Sequence, residues 1–271
     1  MTETPMRIDF VGDVVCPWCA IGLASLTEAL QRLDGEVEAE LHFQPFELNP
    51  QLGPEGQDIF EHLAQKYGMT RAQFAESQEA IRQRGAALGF VFDMQARDRV
   101  WNTFDAHRLL HWSETLGLQT ELANALFRAY FSEGRDIADH GTLVRIAEGV
   151  GLPGAQARAI LASDDYTDAV RQAERFWTDN GIHGVPAVIL DRKHLILRWP
   201  AGRGVRTGAA PGRRREESLT HGQPWWLRGL PRRSCVMGLR IDMAASKGVA
   251  ADWSRSGAID PRTCISPSSP G

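Results

Sequence analysis

The stretch Val14-Val15-Cys16-Pro17-Trp18-Cys19 marks the point where a strand-like pattern ends and a helical pattern begins. The residues before it, 7–15 (RIDFVGDVV), form a short apolar run that predicts a buried strand. Residues 20–33 then repeat leucine and isoleucine at the spacing of an amphipathic helix. Pro17 suits the first helical position, where its missing N–H costs nothing. Both cysteines of the motif therefore lie at the start of a helix.

The spacing of these two cysteines indicates redox chemistry. A helix N-terminus offers free N–H groups and the positive end of the helix dipole, which stabilise a thiolate. Cys19 lies on the same helix face as Cys16, so the two can close a disulfide. We expect Cys16 to be the exposed nucleophile and Cys19 the more buried resolving thiol. Inert buried thiols and a zinc site are the alternatives, although zinc usually needs a second pair of ligands, and Cys235 and Cys264 are too far apart in the sequence to form one.

The rest of the chain brackets a helical insert between strand-like segments. Residues 37–46 alternate apolar and polar side chains as a half-exposed strand does. Residues 57–180 carry helical spacing almost throughout, and residues 184–190 (GVPAVIL) and 193–197 (KHLIL) return to short strands. Strands from both sides of the insert are therefore expected to share one sheet.

Val185 and Pro186 open the first of these late strands. Proline belongs at the start or edge of a strand because it has no N–H to give to a neighbour. A cis bond before Pro186 would bring this loop against the cysteine helix, and would leave the N–H and carbonyl of Val185 free to pair with an extended substrate. An ordinary trans proline is the alternative.

Together, residues 14–19, the long helical insert and residues 184–186 (GVP) resemble the DsbA-like thioredoxin-fold oxidoreductases. The most similar branch is the cytoplasmic FrnE type, related to 2-hydroxychromene-2-carboxylate isomerases and kappa-class glutathione transferases. Residues 102–110 and 136–139 are also similar to that branch, and the resemblance covers about residues 7–197. It implies an α/β fold, namely a thioredoxin fold interrupted by a large α-helical insertion domain. The irregular C-terminal tail lies outside the resemblance and is expected from composition alone. The expected parts are a first thioredoxin part (1–48), the insertion (49–180), a second thioredoxin part (181–198) and the tail (199–271).

The resemblance also implies a reaction. The Cys16 thiolate would attack a substrate disulfide, Cys19 would resolve the mixed disulfide, and Pro17 and Trp18 would tune the reactivity. Pro186 would be cis and face Cys16. The expected partners are protein or small-molecule thiols and disulfides, without a resident cofactor or metal and with glutathione as a candidate co-substrate. The alternative is a glutathione-dependent isomerase or transferase, but relatives with those activities typically carry serine at the position of Cys16.

Other polar residues are weaker candidates. Asp13, three residues before the first cysteine, is a candidate proton acceptor or a mere capping residue. Thioredoxin-like relatives often place a buried acid six residues before the motif, where this chain has Phe10. His183 is a candidate cation beside the thiolate. His107 and His111 share a helix face, and we expect them to be core or surface residues rather than metal ligands.

Composition divides the chain near Trp199. Residues 1–198 hold 18 Lys+Arg and 29 Asp+Glu (net −11), whereas residues 199–271 hold 12 and 5 (net +7). The periodicity also ends there, in a tail rich in Arg, Gly and Pro. Our hypothesis is a frameshift from about residue 197, because dropping one base after the Ile196 codon of a GC-rich back-translation yields a turn and an amphipathic helix. A native basic extension that binds nucleic acid or anionic surfaces is the less favoured alternative.

Composition and the N-terminal segment also exclude several classes of protein. No apolar run reaches the roughly 18 residues of a membrane-spanning helix. The first 15 residues lack the basic and apolar regions of a secretory signal. We therefore expect a cytoplasmic enzyme without a membrane or nucleic-acid partner. Its oligomeric state is left open.

Overall fold

The computed structural model of the protein describes residues 5–34 and 36–196. The tail at 199–271, with the frameshift hypothesis from about residue 197, lies outside these ranges. In chain order the elements are β1 (Met6–Gly12), α1 (Pro17–Arg32), β2 (Ala39–Pro45), β3 (Gln57–Asp58), α2 (Ile59–Tyr67), α3 (Arg71–Ala86), β4 (Arg99–Val100), α4 (Phe104–Glu114), α5 (Gln119–Phe131), α6 (His140–Gly149), α7 (Gly154–Leu161), α8 (Thr167–Asp179), β5 (Ala187–Leu190) and β6 (His194–Ile196).

Four strands form a mixed sheet in the order β2-β1-β5-β6. β1 runs parallel to β2, with Phe10 opposite Phe43, and α1 makes the crossover between them. β5 is antiparallel to β1, with Ala187 opposite Val11, and β6 is antiparallel to β5. Because antiparallel pairing places the start of β5 beside the end of β1, the two motif regions meet at one end of the sheet.

The two faces of β1 enter different apolar cores, because successive side chains of a strand point to opposite faces. Ile8 and Phe10 belong to the larger core, which they share with α1 and the inserted helices. Val11 points the other way and packs with Trp177 and Ile189 in a smaller core. The central strand is thus covered on both faces, and its carboxyl end is held firmly where the cysteine motif begins.

Between β2 and β5 the described chain forms seven helices, α2–α8. Six of them overlap segments with helical periodicity. The seventh, α7, lies in the short part of residues 57–180 that shows no clear helical spacing, because its eight residues make only about two turns. Nor does it predict the ribbon of β3 and β4, because strands of two residues are too short to show alternation.

This architecture confirms the expected thioredoxin fold interrupted by a helical insertion. The exact boundaries at residues 48/49 and 180/181 stay predictions. Within the described ranges, no helix combines the length and apolar character that a membrane span requires.

Candidate active site

Cys16 forms the N-cap of α1. Its backbone is extended (φ −88°, ψ 114°), and Pro17 follows at the first helical position. The Cys16 carbonyl accepts the N–H of Cys19 at 3.0 Å and of Ala20 at 3.2 Å, while the Cys16 N–H donates to the Asp13 carbonyl at 3.0 Å. These bonds fix the start of the helix, so the sulfur of Cys16 lies at the positive end of the helix dipole.

Both cysteines are free thiols, and both are buried. Cys19 is fully enclosed, and Cys16 retains only 5% of its surface exposed. The expectation of an exposed Cys16 is therefore wrong. The expectation that Cys19 is the more buried of the two cysteines is confirmed. The physical reason is that the loop before β5 comes down onto the helix N-terminus. The Cys16 thiol lies at 4.0 Å from the carbonyl oxygen of Val185, in that loop.

The bond between Val185 and Pro186 is cis, as the resemblance implies. Pro186 packs directly on α1: a Cβ atom added to Gly22 would lie 3.3 Å from its Cγ atom. The N–H of Val185 has no acceptor among the described residues. This loop therefore presents an unpaired backbone donor and a carbonyl beside the sulfur of Cys16.

Asp13 and His107 form a fully buried pair behind the cysteines. The Asp13 carboxylate accepts the N–H of Leu48 at 2.7 Å and the N–H of Val15 at 3.4 Å. His107, from α4 of the insertion, places its Nε2 atom 3.5 Å from Asp13 Oδ1. This is an ion-pair distance, and neither ring nitrogen of His107 has a partner with hydrogen-bond geometry among the residues that the structure describes. The insertion thus contributes a titratable group to the cysteine loop.

Burial affects the proton affinities of Cys19 and His107 in different ways. Burial raises the pKa of the Cys19 thiol well above its ordinary value, and the Cys16 sulfur beside it raises that pKa further. Burial lowers the pKa of His107, but Asp13 and the more distant Glu174 and Glu47 outweigh burial, so the pKa is raised. Cys19 is consequently a neutral thiol near pH 7, and the site favours a charged imidazole.

A second ionic group lies next to this pair. Arg171 of α8 binds both Glu47 and Glu174, the latter at 2.8 Å. One oxygen of each carboxylate, Oε1 in both cases, is buried and has no hydrogen-bond partner within residues 5–34 and 36–196. Burial and the charge of Glu174 raise the pKa of Glu47, against the opposite effect of Arg171. Sequence reasoning missed Glu47, although it follows β2, which is parallel to β1, so its position near Asp13 was predictable.

The remaining sequence candidates are less involved. His183 is exposed and has no hydrogen bond or ion pair with Cys16 in the described residues. His111 lies half-buried against the ring of Tyr166, with 5.7 Å between ring centroids. Trp18 is partly buried against the larger core. Among the described residues, no three His, Cys, Asp or Glu side chains are grouped as metal ligands.

Known proteins are similar to this chain over most of its length. A family model described as a DSBA-like thioredoxin domain matches residues 7–206. The uncharacterized protein YwbO of Bacillus subtilis (strain 168) is 29% identical over 203 residues, 74% of this chain and 93% of that protein. The crystal structure of a probable DsbA oxidoreductase from Streptomyces coelicolor is 34% identical with a TM-score of 0.66, covering 70% of this chain and 82% of that one. A 2-hydroxychromene-2-carboxylate isomerase shares the fold at 13% identity and a TM-score of 0.55, covering 70% and 87%.

Proposed function

Because the chain belongs to the family of DSBA-like thioredoxin domains, we propose that it is a thiol–disulfide oxidoreductase that exchanges disulfides through Cys16 and Cys19. One observation carries the proposal. The sulfur of Cys16 lies at the N-terminus of α1, 4.0 Å from the carbonyl oxygen of Val185, with the enclosed thiol of Cys19 one helical turn further on. A nucleophile, a resolving thiol and a backbone binding edge are thereby assembled at one point.

In the first step, the Cys16 thiolate attacks one sulfur of the substrate disulfide. A bond forms between Cys16 and that sulfur, the substrate S–S bond breaks, and the other sulfur leaves as a thiolate that takes a proton from water. The N-terminus of α1 stabilises the attacking thiolate. The backbone N–H of Val185, which has no acceptor in the described part of the chain, binds the chain that carries the disulfide.

In the second step, Cys19 must lose its proton before it can attack. Its raised pKa keeps that proton in place at neutral pH. In our proposal, the Asp13 carboxylate accepts the proton from Cys19. His107 stabilises the negative charge as it passes from Asp13 to Cys19. The Cys19 thiolate then attacks the Cys16 sulfur, the Cys16–Cys19 disulfide forms, and the second substrate thiolate leaves. Two electrons have passed from the cysteine pair to the substrate.

The reaction needs no resident cofactor, because the cysteine pair carries the electrons. A dithiol, or two molecules of a thiol such as glutathione, returns the Cys16–Cys19 disulfide to the reduced state by the same exchange in reverse. We propose protein or small-molecule disulfides as substrates. Which direction dominates depends on the redox potential of the pair relative to its surroundings.

Reduction of insulin by dithiothreitol tests the proposal. The wild-type protein should accelerate the reaction, and Cys16→Ser should reduce the rate to that of dithiothreitol alone. The double variant Cys235→Ser/Cys264→Ser is the matched control, and it should keep the full rate because these cysteines lie outside the motif. A Cys16→Ser protein with the full rate would show that the proposal is wrong.

The same variants test the isomerase alternative. A glutathione-dependent isomerase would convert 2-hydroxychromene-2-carboxylate, with a rate that saturates in glutathione. It would also tolerate Cys16→Ser, because serine is typical of that position in such enzymes. Our proposal predicts neither result.

A further inference from the structure

Lys66, near the end of α2, is bonded to the loop that holds Asp13. Its Nζ atom donates to the carbonyl oxygen of Leu48 at 2.7 Å and to Oδ1 of Asn49 at 2.7 Å. Asn49 is buried, and its Oδ1 atom also lies 2.9 Å from Nε2 of His62. His62 and Lys66 are four residues apart on one face of α2. One face of this helix therefore holds two successive residues of the loop.

Leu48 connects this restraint to the carboxylate of Asp13. Its N–H donates to Oδ2 of Asp13 at 2.7 Å, whereas the N–H of Val15 lies 3.4 Å from Oδ1 of the same carboxylate. The bond from Leu48 is therefore the shorter and stronger of these two main-chain bonds. Two hydrogen bonds through a single residue thus join the ammonium group of Lys66 to the carboxylate of Asp13.

The position of Asp13 matters because the resolving thiol lies beside its main chain. A Cβ atom added to Gly12, the residue before Asp13, would lie 3.3 Å from the sulfur of Cys19. The carbonyl of Asp13 accepts the N–H of Cys16 at 3.0 Å, so the same residue also borders the start of α1. A proton acceptor must lie within hydrogen-bond reach of the proton that it takes, directly or through one water. A displaced carboxylate would therefore take the proton more slowly.

We propose that Lys66 is a positioning residue for Asp13: its hydrogen bond to Leu48 holds the carboxylate where it can take the proton of the resolving thiol. The inference rests on the proposed function, in which Asp13 is the proton acceptor. The charges support the same arrangement. Burial lowers the pKa of Lys66, and the negative charge of Asp13 opposes that effect. The ammonium group and the carboxylate therefore attract each other.

The two steps of disulfide exchange respond differently to a positioning role. Reduced protein is mixed with 2-hydroxyethyl disulfide at pH 7, and rapid acid quenching with mass spectrometry follows both products. The mixed disulfide on Cys16 reports the first attack, and the Cys16–Cys19 disulfide reports resolution. Lys66→Met should change the rate of the first attack less than about twofold. It should slow resolution about three- to tenfold, the usual effect of one lost hydrogen bond.

A double variant tests whether Lys66 acts through Asp13. Asp13→Asn/Lys66→Met should resolve the mixed disulfide at the rate of Asp13→Asn alone, because the group that Lys66 positions is no longer a proton acceptor. A full additional loss in the double variant would overturn the inference. So would equal slowing of both steps in Lys66→Met, no slowing of resolution in that variant, or a wild-type rate of resolution in Asp13→Asn.

Lys193→Met is the matched control. Lys193 is also exposed, in the turn between β5 and β6, and its side chain has no hydrogen bond or ion pair with any described residue. This variant should leave both steps unchanged. Should Lys66→Met fail to fold, Lys66→Gln carries the same expectations, because its shorter side chain loses the same reach. A wild-type protein that forms no mixed disulfide on Cys16 would instead contradict the proposed function.

Discussion

Cys16 and Cys19 carry the same side chain in different surroundings, and the proposed roles follow from those surroundings. Cys16 caps the helix and touches the loop of Val185, where a substrate can approach. Cys19 is enclosed so closely that a Cβ atom added to Gly12 would lie 3.3 Å from its sulfur. In the proposed reaction the first thiol therefore attacks the substrate, and the second attacks only its neighbour.

Asp13→Asn should slow the step in which Cys19 attacks. The amide cannot take a proton, and the raised pKa of Cys19 then keeps the thiol intact near pH 7. We expect turnover to fall about 100-fold at pH 7, the usual scale of a lost proton acceptor. The defect should shrink as pH rises and Cys19 ionises unaided. The pH dependence of insulin reduction measures this.

Asp9→Asn is the control for that substitution. Asp9, in β1, is also a buried carboxylate, but it binds Arg7 and Gln44 rather than the cysteine loop. Its variant should keep the pH profile of the wild type. If Asp13→Asn and Asp9→Asn have identical profiles, Asp13 is not the proton acceptor.

His107→Gln should make stability less dependent on pH. The pKa of His107 is raised in the folded protein, because Asp13, Glu47 and Glu174 together outweigh burial. A raised pKa means that the imidazolium adds stability, fully present below its ordinary pKa near 6.5 and lost as pH rises through the raised value. The difference in free energy of unfolding between wild type and His107→Gln should thus be larger at pH 6 than at pH 9. Urea denaturation measures it, and a difference that grows with pH would contradict this assignment.

At the scale of secondary-structure elements, the site depends on how closely α1 meets the loop before β5. Gly22 allows this approach, because a Cβ atom there would lie 3.3 Å from Pro186 and 3.4 Å from the ring of Phe10. Gly22→Val should destabilise the protein by about 1–3 kcal/mol through overpacking, and slow disulfide exchange by displacing the loop of Val185 and Pro186 from Cys16. Denaturation and insulin reduction measure the two effects.

Gly149 provides the matched control, because it is also a helical glycine but has nothing within 4 Å of its added Cβ atom. Gly149→Val should change stability by less than about 0.5 kcal/mol and leave the exchange rate unchanged. Equal effects of the two substitutions would mean that the contact with Pro186 is unimportant.

At the scale of the whole molecule, the sequence predicts those elements that show a hydrophobic pattern over a few neighbouring residues. The alternation in β2, the apolar run of β1 and the spacing in α1 are each properties of a few neighbouring residues. Together they place Cys16 at a strand-to-helix junction. The approach of the loop at Val185 and Pro186 to Cys16 followed from the resemblance to known oxidoreductases, and the register of β5 against β1 accounts for it.

The polar surroundings of the cysteines were not predictable in the same way. His107 and Arg171 belong to the insertion, and their partners Asp13 and Glu47 belong to the sheet region. Such pairs depend on how separate helices pack on the end of the sheet, which no local pattern specifies.

The central claim is that Cys16 is the nucleophile and Cys19 the resolving thiol. The most direct test is to mix Cys19→Ser protein with 2-hydroxyethyl disulfide and locate the adduct by peptide mass spectrometry. We predict a mixed disulfide on Cys16 that persists because no resolving thiol remains, and no adduct at this motif in Cys16→Ser. An unmodified Cys16 in the first variant, or an adduct on Cys19 in the second, would contradict the account.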